Sequence, residues 1–186
     1  MAAYGVKTVI DLRSPREVSS DSPDLLGGAV RVNVPLVDDM SMRELGDTPD
    51  MYERYLMILD SRMAAFRDVF AAVAAAEGGV LFHCFAGKDR TGLVAAMLLS
   101  LAGVDDAHVA ADFAETDRQL TARYELWIAA APPARRKAVR DELCCPPDRI
   151  FGVLDHLERG WGGVAGYLEA AGLEAASIER VASKLA

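Results

Sequence analysis

Only three short stretches of the chain carry a strand pattern, and none reaches past residue 84. KTVIDL (7–12) is apolar and β-branched, AVRVNVPL (29–36) alternates, and GVLFHC (79–84) is a brief apolar run. Polar RSPREVSSDSPDLLGG separates the first two. A loop-like segment, VDDMSMRELGDTPD, and a long helical pattern separate the second from the third. Connections of that length suit parallel pairing. The expected class is α/β: a small, mostly parallel sheet flanked by helices, with a helical C-terminal half.

Helical spacing is plain from Met51 to Glu77. Tyr52, Tyr55, Leu56 and Leu59, then Met63, Phe66, Val69, Phe70 and Val73, recur at three and four. Pro49 is placed to open this segment, and Asp60-Ser61 to divide it, with Ser61 as a cap. After residue 84 come TGLVAAMLLSLAG, DDAHVAADFAET, QLTARYELWIAA, ARRKAVRDEL, DRIFGVLDHLERG, GGVAGYLEAAG and ASIERVASKL, each read as a helix.

With 186 residues and 52% hydrophobic content, the chain fits one domain spanning 1–186 with a core that needs no disulfides. Its net charge of -8 argues against nucleic acid and against an anionic membrane surface. No apolar run reaches membrane-spanning length, and the N-terminus lacks a leader pattern. Cytoplasm is the expected location, with leaderless secretion left open. The three cysteines, Cys84, Cys144 and Cys145, do not form a disulfide framework. His83, His108 and His156 do not cluster with acids or thiols, so no metal and no cofactor are expected. Nothing in the sequence sets the oligomeric state.

The chemistry concentrates in HCFAGKDRTG (83–92), between the third strand and a buried helix. A loop there lies at the carboxyl edge of a parallel sheet, where ligands bind in open α/β folds. The following helix turns its free N–H groups and positive end toward the loop, a ready anion site. Phe85, Ala86, Gly87, Lys88, Asp89 and Arg90 form the expected phosphate-binding loop. Cys84 at its mouth is the candidate nucleophile, since a thiolate is stabilised by the same N–H groups. Arg90 can hold two oxygens of a phosphate in its planar fork. Thr91 can offer a hydroxyl to the sulfur, and His83 can orient the loop. Gly-Lys invites a nucleotide-loop reading, but Asp89 stands where Ser or Thr is required. The plainest alternative for Cys84 is a small buried hydrophobe at a strand end.

His-Cys-x5-Arg-Thr resembles the signature of the cysteine-based tyrosine and dual-specificity phosphatases, and HCFAGKDRTG resembles their atypical bacterial branch. VIDLRSPREV, VNVPLVDD, LLSLAGVDDAHVAADF and GGVAGYLEAAGL are similar to further segments of that branch. The resemblance implies hydrolysis of phosphotyrosine, and of phosphoserine, phosphothreonine or phosphoinositides, through a phosphocysteine. It implies a general acid: Asp38 first, with Asp39 and Asp89 as the other candidates. It places Lys88 and Asp89 in shaping the pocket, and Arg13 and Glu17 in supporting the loop. The branch's usual N-terminal hairpin and helix have no counterpart ahead of DLRS, so those elements are expected to be missing. The alternative function is a catalytically weak phosphate-binding pseudophosphatase.

Overall fold

The computed structural model describes residues 4–20, 28–41, 45, 48 and 50–185. Among them, three parallel strands lie in the order β2-β1-β3: β1 (Val6–Asp11), β2 (Val30–Asn33) and β3 (Gly79–His83). Helices are α1 (Pro15–Ser20), α2 (Met51–Ser61), α3 (Met63–Ala75), α4 (Asp89–Leu101) and α5 (Asp106–Ala130). A 3-10 turn, Pro133–Arg135, precedes α6 (Arg136–Leu143), α7 (Pro147–Trp161), α8 (Val164–Ala170) and α9 (Ala175–Leu185). The α/β class expected from the strand pattern is the class observed.

The central strand sets the level of the sheet's carboxyl edge. Asp11 of β1 is the register partner of Asn33 on one side and of His83 on the other. Pairing continues past the strand ends, with Leu12 N–H donating to His83 C=O at 2.8 Å and Leu36 N–H to Leu12 C=O at 3.2 Å. The Asn33 amide clamps the same edge, donating to the carbonyls of Asp11 (2.8 Å) and Arg13 (3.0 Å).

One hydrophobic cluster joins Ile10 and Leu12 of the β1 segment to Tyr55 and Leu59 on α2 and to Phe66 and Phe70 on α3. It continues through Leu93 and Met97 on α4 to Leu157 on α7 and Tyr167 on α8. Burying each such side chain contributes about 1.5–3 kcal/mol. The start of α4 therefore sits on a packed bed, which anchors one end of the loop before it. No helix among the described residues is long and apolar enough to cross a membrane.

Local details depart from the sequence reading in four places. The first connection carries α1, opened by a capping box: Ser14 N–H donates to Glu17 Oε2 (2.9 Å) and Glu17 N–H to Ser14 Oγ (3.3 Å). The long α2–α3 pattern does divide, but the junction is Arg62, and Ser61 is the last residue of α2, its hydroxyl bonded back to Met57 C=O. Pro49 lies outside the described residues; Asp50 caps α2 by accepting from Tyr52 N–H (2.8 Å) and Glu53 N–H (3.0 Å). The two helices expected across 105–130 are one, α5, because Asp117-Arg118 contains no breaker and Arg118 pairs with Glu115 within the helix.

Candidate active site

The loop from Cys84 to Lys88 leaves β3 and enters α4 at Asp89. Gly87 turns it with a φ of 75°, a left-handed conformation that glycine adopts without a side-chain clash. Cys84 is buried at the base of the loop, 6% exposed. Its own N–H donates to Thr91 Oγ1 at 3.0 Å. Beyond it, the N–H groups from Phe85 through Thr91 find no acceptor among the described residues. A run of unpartnered amides at a helix N-terminus is an oxyanion cradle in the making.

Arg90 lies in the first turn of α4, 7% exposed. Glu17 of α1 grips it end-on, with NH1 donating to Oε2 at 2.6 Å and NH2 to Oε1 at 2.7 Å. Burial alone would push the Glu17 carboxyl up; the Arg90 and Ser14 donors outweigh it and hold the carboxyl below its ordinary value. Burial likewise pulls Arg90 down, and its bonds to Glu17 with the nearby charges of Cys84, Glu17 and Asp89 push it above the ordinary guanidinium value. The fork is thus fixed and permanently charged, with donors left over for phosphate oxygens.

Below the loop sits a buried polar plug. Asp11, fully buried, accepts from Arg13 N–H (3.1 Å), Nε (2.9 Å) and NH2 (2.8 Å). Burial would raise this carboxyl, but the Arg13 bonds and the charge of His83 bring it below the ordinary value. His83 Nε2 is 3.8 Å from Asp11 Oδ1, while Nδ1 is 3.0 Å from Cys84 C=O. A carbonyl only accepts, so Nδ1 carries the proton. His83 thus touches the Cys84 backbone, and Arg13 is tied to the Asp11 carboxylate next to it.

The candidate acids are separated by the structure. Asp38 is engaged by other partners: Oδ1 accepts from Met40 N–H (3.1 Å) and Ser41 N–H (2.8 Å), and Oδ2 pairs with Arg62 NH1 at 2.7 Å. The Ser41 backbone donor, foremost, holds its carboxyl below the ordinary value. Asp39 accepts the Ser14 hydroxyl at 2.5 Å. Asp89 instead lines two concavities that meet at the loop mouth. One, of about 230 Å³, is walled by Val37, Met51, Tyr55, Ile58 and Arg90; the other, of about 360 Å³, by Phe85, Lys88, Trp127 and Leu143. The buried Lys88 ammonium donates to Glu142 C=O at 2.8 Å and pairs with Asp89 Oδ1 at 3.0 Å.

Matching the tyrosine phosphatase family model over residues 1–186 decides the kinship. The chain belongs to the tyrosine phosphatase family. A tyrosine-protein phosphatase of Nostoc commune is 32% identical over 200 residues, covering 100% of this chain and 68% of the relative. The triple specificity protein phosphatase PtpB of Mycobacterium tuberculosis is 26% identical over 223 residues, covering 95% of this chain and 81% of that one. The enzyme is a protein-tyrosine phosphatase, as the resemblance in HCFAGKDRTG implied. The Glu17–Arg90 contact and the place of Tyr55 in the cavity wall go beyond the sequence reading. Glu17 was expected only as a loop support, although the S-P-R-E capping box with proline at its first helical position was there to read. Tyr55 was read only as one apolar position of a helical stripe.

Proposed function

We propose that this phosphatase hydrolyses aryl phosphomonoesters, phosphotyrosine foremost, through a phosphocysteine on Cys84. One observation carries the reading: a buried thiol at the base of a loop whose amides find no acceptor among the described residues, beside an arginine held by a carboxylate. Cys84 Sγ attacks phosphorus as thiolate, and the bond to the leaving oxygen breaks. The loop amides from Phe85 to Arg90 and the Arg90 fork hold the equatorial oxygens. Thr91, whose oxygen already accepts from Cys84 N–H, keeps a hydroxyl proton to donate to the sulfur.

Asp89 is the acid in this reading. Its carboxyl gives a proton to the departing oxygen, then as carboxylate takes one from the water that attacks phosphorus. The S–P bond breaks, releasing inorganic phosphate and the thiolate. Asp38 caps a turn instead, because both of its oxygens are occupied by donors that favour the ion. The two joined concavities support breadth beyond phosphotyrosine, toward phosphoserine, phosphothreonine and phosphoinositides.

A panel of phosphotyrosine, phosphoserine and phosphothreonine peptides with phosphoinositide micelles tests substrate class. Turnover of the phosphotyrosine peptide is expected to lead. A phosphatase active only on lipid would overturn the order proposed.

A further inference from the structure

Asp89 is held asymmetrically. Among the described residues, both of its side-chain contacts fall on Oδ1: the Tyr55 hydroxyl at 2.5 Å and the Lys88 ammonium at 3.0 Å. Oδ2 makes no hydrogen bond among the described residues, and the side chain is 31% exposed at the junction of the two concavities. A carboxyl free to spin would present its two oxygens in turn. One pinned through Oδ1 keeps Oδ2 aimed.

The pin is itself anchored. Tyr55 is fully buried, and its ring meets Phe113 of α5 edge-on, centroids 6.2 Å apart at 88°. Phe113 in turn lies over Gly92, where an added Cβ would come within 2.8 Å of the ring. The glycine that ends HCFAGKDRTG thus makes room for the ring that steadies Tyr55. A stack of Gly92, Phe113, Tyr55 and Asp89 runs from the first turn of α4 back to the residue that opens it. A core tyrosine serving only to fill space would not need its hydroxyl on that carboxylate; phenylalanine would pack as well.

We propose that Tyr55 is a positioning residue for the acid step, its hydroxyl fixing Asp89 Oδ1 so that Oδ2 delivers the proton to the leaving oxygen. The inference rests on Asp89 being the acid. Tyr55 exchanges no proton with substrate. Burial first, and the adjacent Asp89 charge second, push its ionisation far above the ordinary tyrosine range, so the hydroxyl acts only as a donor. The consequence is selectivity by leaving group. A leaving oxygen that departs easily as an anion needs no proton, whereas a poor one depends on an aimed acid.

The test is Tyr55→Phe assayed on phenyl phosphate and dinitrophenyl phosphate, alone and with Asp89→Asn. On phenyl phosphate, kcat is expected to fall by about tenfold or more with KM within about twofold, since a positioned acid contributes on the order of 10²–10⁴ in rate. On dinitrophenyl phosphate, kcat should stay within about twofold. In the Asp89→Asn background, Tyr55→Phe should add no further loss on phenyl phosphate. Phe113→Leu, which loosens the ring and keeps the hydroxyl, gives a second reading if Tyr55→Phe does not fold; the same selective loss, smaller in size, is expected. Equal losses on both esters, or a Tyr55→Phe loss that multiplies with that of Asp89→Asn, would overturn the role of Tyr55 and leave Asp89 as the acid. An Asp89→Asn variant with no leaving-group selectivity would overturn the acid assignment, and the role of Tyr55 with it.

Discussion

Glu17 and Arg90 meet end-on, carboxylate to guanidinium, through two bonds of 2.6 and 2.7 Å. The same Oε2 that takes Arg90 also takes the Ser14 N–H. A helix cap on one side of the site thereby sets the angle of the Arg90 guanidinium on the other, the fork proposed to hold phosphate. Glu17→Gln keeps the shape and loses the charge. It is expected to weaken vanadate binding and to lower kcat/KM by about tenfold, given about 1.5–3 kcal/mol for a charge-assisted bond. Equilibrium titration with vanadate checks this; unchanged affinity would leave Glu17 as a cap alone.

The same pair makes stability depend on pH. The folded-state carboxyl of Glu17 lies below its ordinary value of 4.5. Its contribution is therefore fully present above that value and is lost as pH falls through the folded one. Asp11, also depressed below its ordinary 3.8, acts in the same direction. Thermal melts from pH 7 down to 3 should show wild type converging on Glu17→Gln at the acid end. A constant gap between the two would mean that the charge of Glu17 is not what stabilises the fold.

Gly87 and Gly92 are constrained for different reasons, and alanine at each should separate them. At Gly92 the new methyl meets Phe113 at 2.8 Å, so overpacking is expected to cost about 1–3 kcal/mol. At Gly87 nothing lies within 4 Å, but φ is 75°, so the expected cost of about 1–2 kcal/mol is backbone strain within the loop. Urea denaturation gives the free energies. In the Gly92→Ala background, a further Phe113→Ala should recover little of the rate if Phe113 steadies Tyr55.

Lys88 is a tie between loop and helix in this structure, 4% exposed and bonded to Glu142 C=O. Lys88→Met keeps the stem and removes the ammonium. It should lower stability by about 1–3 kcal/mol, because the part-buried Glu142 carbonyl and the Asp89 carboxylate lose a donor. Unchanged stability with a raised KM would identify Lys88 as a substrate contact, the role its place in the motif suggested.

Much of this was legible in the chain. The strand–loop–helix around HCFAGKDRTG placed Cys84, Arg90 and Thr91 together because local sequence alone fixes a loop of that length. The three-strand parallel sheet followed from apolar runs set too far apart for hairpins. What could not be read was contact across the fold. Nothing local shows that Glu17 reaches Arg90, or that Tyr55, one apolar position among several on α2, turns its hydroxyl to Asp89. The aspartate after the VNVPL strand was foremost as acid by resemblance, yet at Asp38 two backbone donors and Arg62 occupy the carboxylate. Short polar caps and catalytic acids look alike in sequence, and only their partners distinguish them.

Cys145 offers a contrast with Cys84. It is 1% exposed, and burial, foremost, pushes its thiol up to about 12. Iodoacetamide at neutral pH should therefore leave Cys145 unlabelled while Cys84 reacts, and vanadate should protect Cys84. Peptide mapping by mass spectrometry reads both; alkylation of Cys145 at the rate of Cys84 would contradict the burial described.

The most direct test is to quench wild-type enzyme during turnover of an aryl phosphate and map the phosphorylated residue, alongside Cys84→Ser. The phosphoryl group is expected on Cys84, with Cys84→Ser inactive yet still binding vanadate or phosphate. Wild-type turnover by Cys84→Ser, or a phosphoryl group trapped on another residue, would contradict the phosphocysteine mechanism.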